Sequence, residues 1–153
     1  ILAALQLNLT APMLLCNAFI GEARRHAEDI RILNISSGAA VKLTHGWSCY
    51  AASKAGLDHF SRHLALEQTG HARVCALYPG IIDTDMQARI RQTPSQDFPD
   101  QARFINLKDQ GLLSTPADAA HRILAYLQHA RFGEQAVVDI RNPDYPATEN
   151  HEP

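Results

Sequence analysis

The sequence predicts an α/β fold, a parallel sheet with helices on its faces. Short apolar runs with the character of buried strands alternate with segments of helical spacing, in the order strand, helix, strand, helix, strand. The first two runs end at small polar residues or at Pro-Gly, which breaks a strand and sends the chain into a loop. With 153 residues, 46% hydrophobic and 20% charged, the chain is long and apolar enough for one domain with a real core and too apolar for disorder.

The elements follow in order. Residues 1–21 are apolar-rich, but Gln6, Asn8, Thr10 and Asn17 interrupt them and no cationic segment precedes them. No uninterrupted run therefore approaches the roughly 18 apolar residues of a membrane span. Leu2, Leu5, Leu9, Met13, Leu14 and Leu15 recur near helical spacing and Glu22 to His26 forms a polar exit, so a buried or interface helix is expected. Residues 31–36 read as a buried strand running into a loop at Gly38. Residues 50–69 carry Ala, Leu, Phe and His at helical spacing and stop at Gly70, a C-terminal cap. Residues 73–78 form the second strand, cut off by Pro79-Gly80. The stretch from about 83 to 114 is polar and proline-broken, an excursion rather than core. Thr115-Pro116 with Asp118 starts a helix through Gln128, residues 135–140 are the third strand, and a flexible tail is expected over 142–153.

Fourteen basic side chains against 16 acidic ones give a net charge of −2, and no basic stretch exceeds Arg24-Arg25. This excludes the electrostatic footprint of a nucleic-acid or anionic-membrane binder. Cys16, Cys49 and Cys75 are odd in number and lack a CxxC spacing, so neither a disulfide framework nor a structural zinc site is expected, and the reducing cytosol is the default compartment. Asn8-Leu9-Thr10 and Asn34-Ile35-Ser36 fit the glycosylation sequon and read as chance matches.

The chemistry is expected at the ends of the first two strands. Tyr50 and Lys54, four apart on a helix, share one face a turn apart. A phenol beside an ammonium, near a helix start, becomes a usable proton donor. Ser37, at the first strand's carboxyl end, can hydrogen-bond the same substrate oxygen, because open α/β sheets bind ligands outside those ends. An ordinary surface pair is the alternative. With four Tyr and three Lys in 153 positions, one YxxxK arises by accident about 0.08 times, and a Ser at fixed offset lowers this to roughly 0.004.

Asn34-Ile35-Ser36-Ser37-Gly38, Tyr50-Ala51-Ala52-Ser53-Lys54-Ala55-Gly56 and the run from Tyr78-Pro79-Gly80 to Asp85-Met86 resemble, in order and spacing, the short-chain dehydrogenase/reductase superfamily. Gly46 to Tyr50, Asp83 to Gln87, Asn106-Leu107-Lys108 and Val137-Val138-Asp139 are similar to its sepiapterin reductase and benzil reductase branch. Matching blocks run from Asn8 to about Asp139.

The resemblance implies a Rossmann-like, doubly wound sheet and carbonyl reduction with NADP, NAD being possible. It makes Tyr50 the general acid and Lys54 the group that tunes it and holds the nicotinamide ribose. Ser37 would polarise the carbonyl, and Asn8 would join a water-linked proton relay; an Asn inside a helix can also be a packing residue. Pro79, Gly80, Ile82 and Thr84 would shape and hold the nicotinamide end. Trp47 and Met86, with Phe98 and Phe104, would wall an aromatic or dicarbonyl substrate. Asp139 would anchor a pterin ring, a strand-end cap being the equal alternative. His59 and His63 read as an exposed polar face rather than a metal site. The glycine-rich phosphate turn GxxxGxG does not occur in the sequence, and the chain opens on Ile1. Residues 1–141 are therefore expected to be the C-terminal part of one reductase domain, with 84–114 as substrate loop. A homodimer or homotetramer through 1–27 and 50–69 is expected, with a small-molecule carbonyl substrate, a cytoplasmic location, and neither nucleic acid nor membrane as partner. A non-enzymatic dimerisation module is the alternative.

Overall fold

The computed structural model describes residues 1–142, so the tail expected from 142 onward lies almost wholly outside the described residues. Strands β1 (Ile30–Ile35), β2 (Ala72–Tyr78) and β3 (Val137–Asp139) form one parallel sheet in that order. The register pairs Ile30 with Ala72 through Ile35 with Leu77, and Ala76 to Tyr78 with Val137 to Asp139. β1 and β2 lie within a residue of their predicted spans. β3 is shorter than the predicted 135–140, although Ala136 and Ile140 on either side of it still exchange hydrogen bonds with Ala76 and Tyr78 of β2.

Helices α1 (Leu2–Ala23), α2 (Ser48–Glu67), α3 (Asp85–Gln92), α4 (Gln101–Asp109) and α5 (Pro116–Gln128) surround the sheet. Alternation along the strands sends Ile30, Ile32 and Val74 to one face, where Cys16 and Ile20 of α1 and Leu64 of α2 meet them. Cys75, Leu77 and Val138 point to the other face, against Tyr126 of α5 and Phe132. Both faces are thus covered, which is why β2 reads as a continuous apolar run.

A buried polar chain ties three elements on the first face: Cys16 Sγ donates to Asn34 Oδ1 (3.5 Å), Asn34 Nδ2 to Ser61 Oγ (3.0 Å) and Ser61 Oγ to the Leu57 carbonyl (2.8 Å). Asn34 is 8% exposed, so its sequon is closed to a glycan in the folded chain. α2 ends at Glu67 with Gln68 as its C-cap, two residues short of the predicted end at 69, and Gly70, at φ +79°, makes the turn that follows rather than the cap itself. Thr115 caps α5, its Oγ1 accepting from the Asp118 amide at 3.1 Å, with Pro116 behind it.

Two expectations need correction. The excursion contains α3 and α4, whose eight and nine residues carry too few apolar positions to show a period, and its Phe98 and Phe104 are buried at 5% and 4% exposure. They bury by stacking on Trp47 rather than by joining the main core. Of the buried or interface helix expected at the start, the buried reading does not hold: Leu2, Leu7, Leu14 and Leu15 are 65–73% exposed, because only the Cys16–Ile20 side of α1 meets the sheet. At 22 residues and mean hydropathy 1.4, α1 is long and apolar enough, by length and composition, to cross a membrane, since averaging passes over its four polar interruptions. Mostly buried core helices and signal sequences pass the same test.

Candidate active site

A cleft of about 260 Å³ opens at the carboxyl ends of β1 and β2. On one side stands α2. Tyr50 and Lys54 lie one turn apart on it, both half-buried, and line the cleft together. Lys54 Nζ is 5.9 Å from the centre of the Tyr50 ring and donates a 2.8 Å hydrogen bond to the carbonyl of Ile35, the last residue of β1. Burial pushes the Lys54 ammonium below its ordinary pKa, and the charge of Asp58, one further turn along α2, opposes that shift.

Ser37 lines the same cleft. Its extended backbone caps a short 3-10 turn at Gly38–Ala40, and its Oγ accepts from the Ala39 amide at 3.2 Å, which leaves the hydroxyl proton free for another acceptor. Ser36, also on the lining, is 3% exposed and spends its hydroxyl proton on the Lys54 carbonyl at 3.4 Å. The floor is the β2 exit, Pro79-Gly80, followed by Ile82 and Thr84. Gly80 sits at φ +85°, and a Cβ there would meet Arg141 Cδ at 3.1 Å, so the turn needs glycine on two counts. An isolated parallel bridge between Ile82 and Ser114 pins both ends of the excursion to this floor.

Trp47 and Met86 line the cleft as predicted. Trp47 meets Tyr50 edge-on at 5.7 Å and tilts against Phe104 at 5.5 Å, whereas Phe98 lies behind it, stacked at 6.3 Å. Two predicted site residues stand off the wall. Asn8 lies inside a π turn over Gln6–Thr10 of α1; its Nδ2 donates to Ser53 Oγ at 3.3 Å, and Ser53 donates to the Tyr50 carbonyl at 2.7 Å. Such turns recur at functional sites, and no sequence pattern marks this one. Asp139 is bound by Arg141, Nε to Oδ1 at 2.9 Å and Nη2 to Oδ2 at 2.6 Å; that guanidinium holds its carboxyl below the usual range, and Arg141 rather than Asp139 faces the cleft. The rings of His59 and His63 contact each other edge-on at 4.6 Å, away from the cleft.

Sequence reasoning passed over Lys42, Arg103 and Arg141 on the lining, which no local pattern distinguishes from solvated surface charges. It also passed over Asp58, 5% exposed, whose Oδ2 accepts from the Tyr78 hydroxyl. Burial, reinforced by this hydrogen bond, raises the Tyr78 pKa well above its ordinary value. Asp58 Oδ1 has no hydrogen-bond partner among the described residues.

Known proteins match this arrangement. The short chain dehydrogenase family model covers residues 1–95. Benzil reductase ((S)-benzoin forming) of Bacillus cereus is 37% identical over 137 residues, 88% of this chain and 55% of that protein. Sepiapterin reductase of Rattus norvegicus is 36% identical over 109 residues, 71% of this chain and 41% of that protein. Among solved structures, the KRED1-Pglu enzyme superposes with a TM-score of 0.76 at 29% identity, covering 88% of this chain and 56% of that one. The chain spans about half the length of these relatives. On its parallel, doubly covered sheet, its strand-end cleft and these matches, the chain belongs to the short-chain dehydrogenase/reductase family and its sheet is Rossmann-like.

Proposed function

We propose that this chain carries the catalytic and substrate-binding part of an NADP-dependent carbonyl reductase acting on a ketone or vicinal dicarbonyl of benzil-like or sepiapterin-like type. The observation that carries this reading is one cleft holding Ser37, Tyr50 and Lys54 opposite the Pro79-Gly80 turn. The Pro79-Gly80 turn brings main chain to the cleft wall beside Ile82 and Thr84, and the half-buried ammonium of Lys54 suits a ribose diol, so the residues present fit the nicotinamide end of a dinucleotide. A reduced nicotinamide, when bound, supplies hydride to the carbonyl carbon.

The protein's part is positioning and proton transfer. Ser37 donates a hydrogen bond to the carbonyl oxygen, and Tyr50 gives that oxygen its proton as it becomes a hydroxyl. Lys54 favours the phenolate left behind, and Asn8, through Ser53, holds the Tyr50 end of α2 in a route for reprotonation. Pro79, Gly80, Ile82 and Thr84 hold the nicotinamide end; Trp47, Met86 and the 84–114 segment enclose the substrate. NADP is taken from the benzil and sepiapterin reductase likeness, and NAD fits the same residues.

Residues 1–141 act as part of one reductase domain, in the cytoplasm, as a homodimer or homotetramer joined through the helices at 1–27 and 50–69. The exposed leucines of α1 favour that interface and equally support a second reading, a non-enzymatic dimerisation module. NADPH oxidation by the full-length protein with benzil and with sepiapterin decides between them. Turnover that drops at least about 100-fold in Tyr50→Phe is expected. If Tyr50→Phe matches the unmutated protein, the mechanism is wrong; if neither substrate is consumed while the chain still self-associates, the module reading stands.

A further inference from the structure

The chain carries a net charge of −2, yet its cleft has the opposite sign. Lys42, Lys54, Arg103 and Arg141 all line it, and no Asp or Glu does. Two of these cations are committed. Lys54 donates to the Ile35 carbonyl, and Arg141 is held by both oxygens of Asp139. The other two are not: Lys42 and Arg103 form no salt bridge with any described residue. Asp100, whose charge Arg103 feels without forming a salt bridge, is hydrogen-bonded instead by His45 through both its backbone amide (3.0 Å) and Nδ1 (3.2 Å).

The position of Arg103 narrows the ligand. Its guanidinium lies over the Phe104 ring, 5.8 Å from the centroid, and Phe104 tilts against Trp47 at 5.5 Å. An aromatic wall and a guanidinium without a salt bridge therefore line the same cleft as the Ser37 and Tyr50 hydroxyls, with Trp47 touching the Tyr50 ring edge-on. Asp139, the acid that would favour a donor-rich ring such as a pterin, has been replaced on the lining by the guanidinium that neutralises it.

Resting on the carbonyl-reductase reading, we infer that the substrate is a carboxylate-bearing aromatic carbonyl compound, its carboxylate held by Arg103 with Lys42 and its ring laid on Trp47 and Phe104. A neutral carbonyl compound of the same shape leaves both cations without a salt-bridged anion and binds more weakly.

Trp47 is the sole tryptophan, so a chain labelled with 15N-tryptophan gives one indole N–H resonance, placed on this wall. Benzoylformate and its methyl ester, equal in aromatic surface and different in charge, are titrated against that resonance at low ionic strength. Benzoylformate is expected to bind about tenfold more tightly, and Arg103→Gln, at an exposed position that leaves the free-protein resonance in place, is expected to erase the preference. Equal affinities, preference for the ester, no shift with either ligand, or a preference that survives Arg103→Gln overturns the inference. Nicotinamide mononucleotide serves as the cofactor-phosphate arm. If its affinity, rather than that of benzoylformate, depends on Arg103, the guanidinium serves the cofactor and the inference falls. The reductase reading is judged separately, by reduction of the methyl ester with NADPH in the full-length protein and its loss in Tyr50→Phe.

Discussion

Single residues in this protein behave according to what surrounds them, and the three cysteines show it. Cys75 is fully buried in β2 and Cys16 is 5% exposed, whereas Cys49 on α2 is half-buried. Burial pushes the Cys75 thiol from 9.0 up to about 11, the Tyr126 hydroxyl opposing it in part, and burial raises Cys16 as well. A folded-state value above the unfolded one means that folding favours the protonated thiol. The stability this contributes is fully present below pH 9.0 and is lost as pH rises through about 11. Tyr78, raised for the same reason, acts in the same direction. Denaturant midpoints measured at about pH 8 and about pH 10.5 should therefore fall with pH, less steeply in Cys75→Ala. With Ellman's reagent near neutrality, Cys49 reacts first in the folded chain and all three thiols react once it is denatured.

Between elements, the contact with most at stake is the one from Asp58 to Tyr78. Tyr78 is the last residue of β2, immediately before the Pro79-Gly80 floor, and Asp58 lies one turn beyond Lys54. Their hydrogen bond thus joins the strand that shapes the cleft floor to the helix that carries the proton donor. Tyr78→Phe deletes the side-chain hydrogen bond that the buried Asp58 carboxylate accepts among the described residues, at a cost of about 1–3 kcal/mol in urea or thermal unfolding. Asp58→Leu/Tyr78→Phe removes both polar groups and should recover much of that loss, because an unpaired buried charge costs more than an absent one. A double variant as unstable as Tyr78→Phe alone would show that packing, and not the carboxylate, sets the cost. The close seat of α1 on α2 has a steric origin: Gly56 leaves room for Leu9, whose Cδ2 would lie 3.0 Å from an added Cβ.

At the scale of the whole molecule, the core covers both faces of the sheet but leaves a long apolar surface bare. Leu2, Leu7, Leu14, Leu15 and Phe19 of α1 are 49–73% exposed, and among the described residues β1 pairs on one edge only, with β2. Patches of this kind mark a surface meant to be covered, and an unpaired parallel edge adds to the drive for association. Light scattering on an eluting column should give a mass above the 16.9 kDa of one chain. Leu14→Glu/Leu15→Glu should lower it, since two charges on that face oppose burial. A 16.9 kDa species at every concentration would count against the interface placed at 1–27 and 50–69.

The sequence by itself determined everything that depends on neighbours within a turn or a pleat. Pro-Gly and Gly punctuation set the end of β2 and the turn after α2, the Thr115-Pro116 cap set the start of α5, and the spacing of four between Tyr50 and Lys54 placed both on one helix face. These are fixed by local geometry that every helix and strand shares. What only the tertiary structure decided depends on how separate elements cross: the exposure of α1, the seating of Phe98 and Phe104 on Trp47, the π turn at Asn8 and the bond between Asp58 and Tyr78. Asp139 marks the boundary. Its place at a strand end was legible, but its partner is a guanidinium two residues on, past a turn, and that contact reverses the charge shown to the cleft. A side chain's charge is written in the sequence; the partner that cancels it is chosen by the fold.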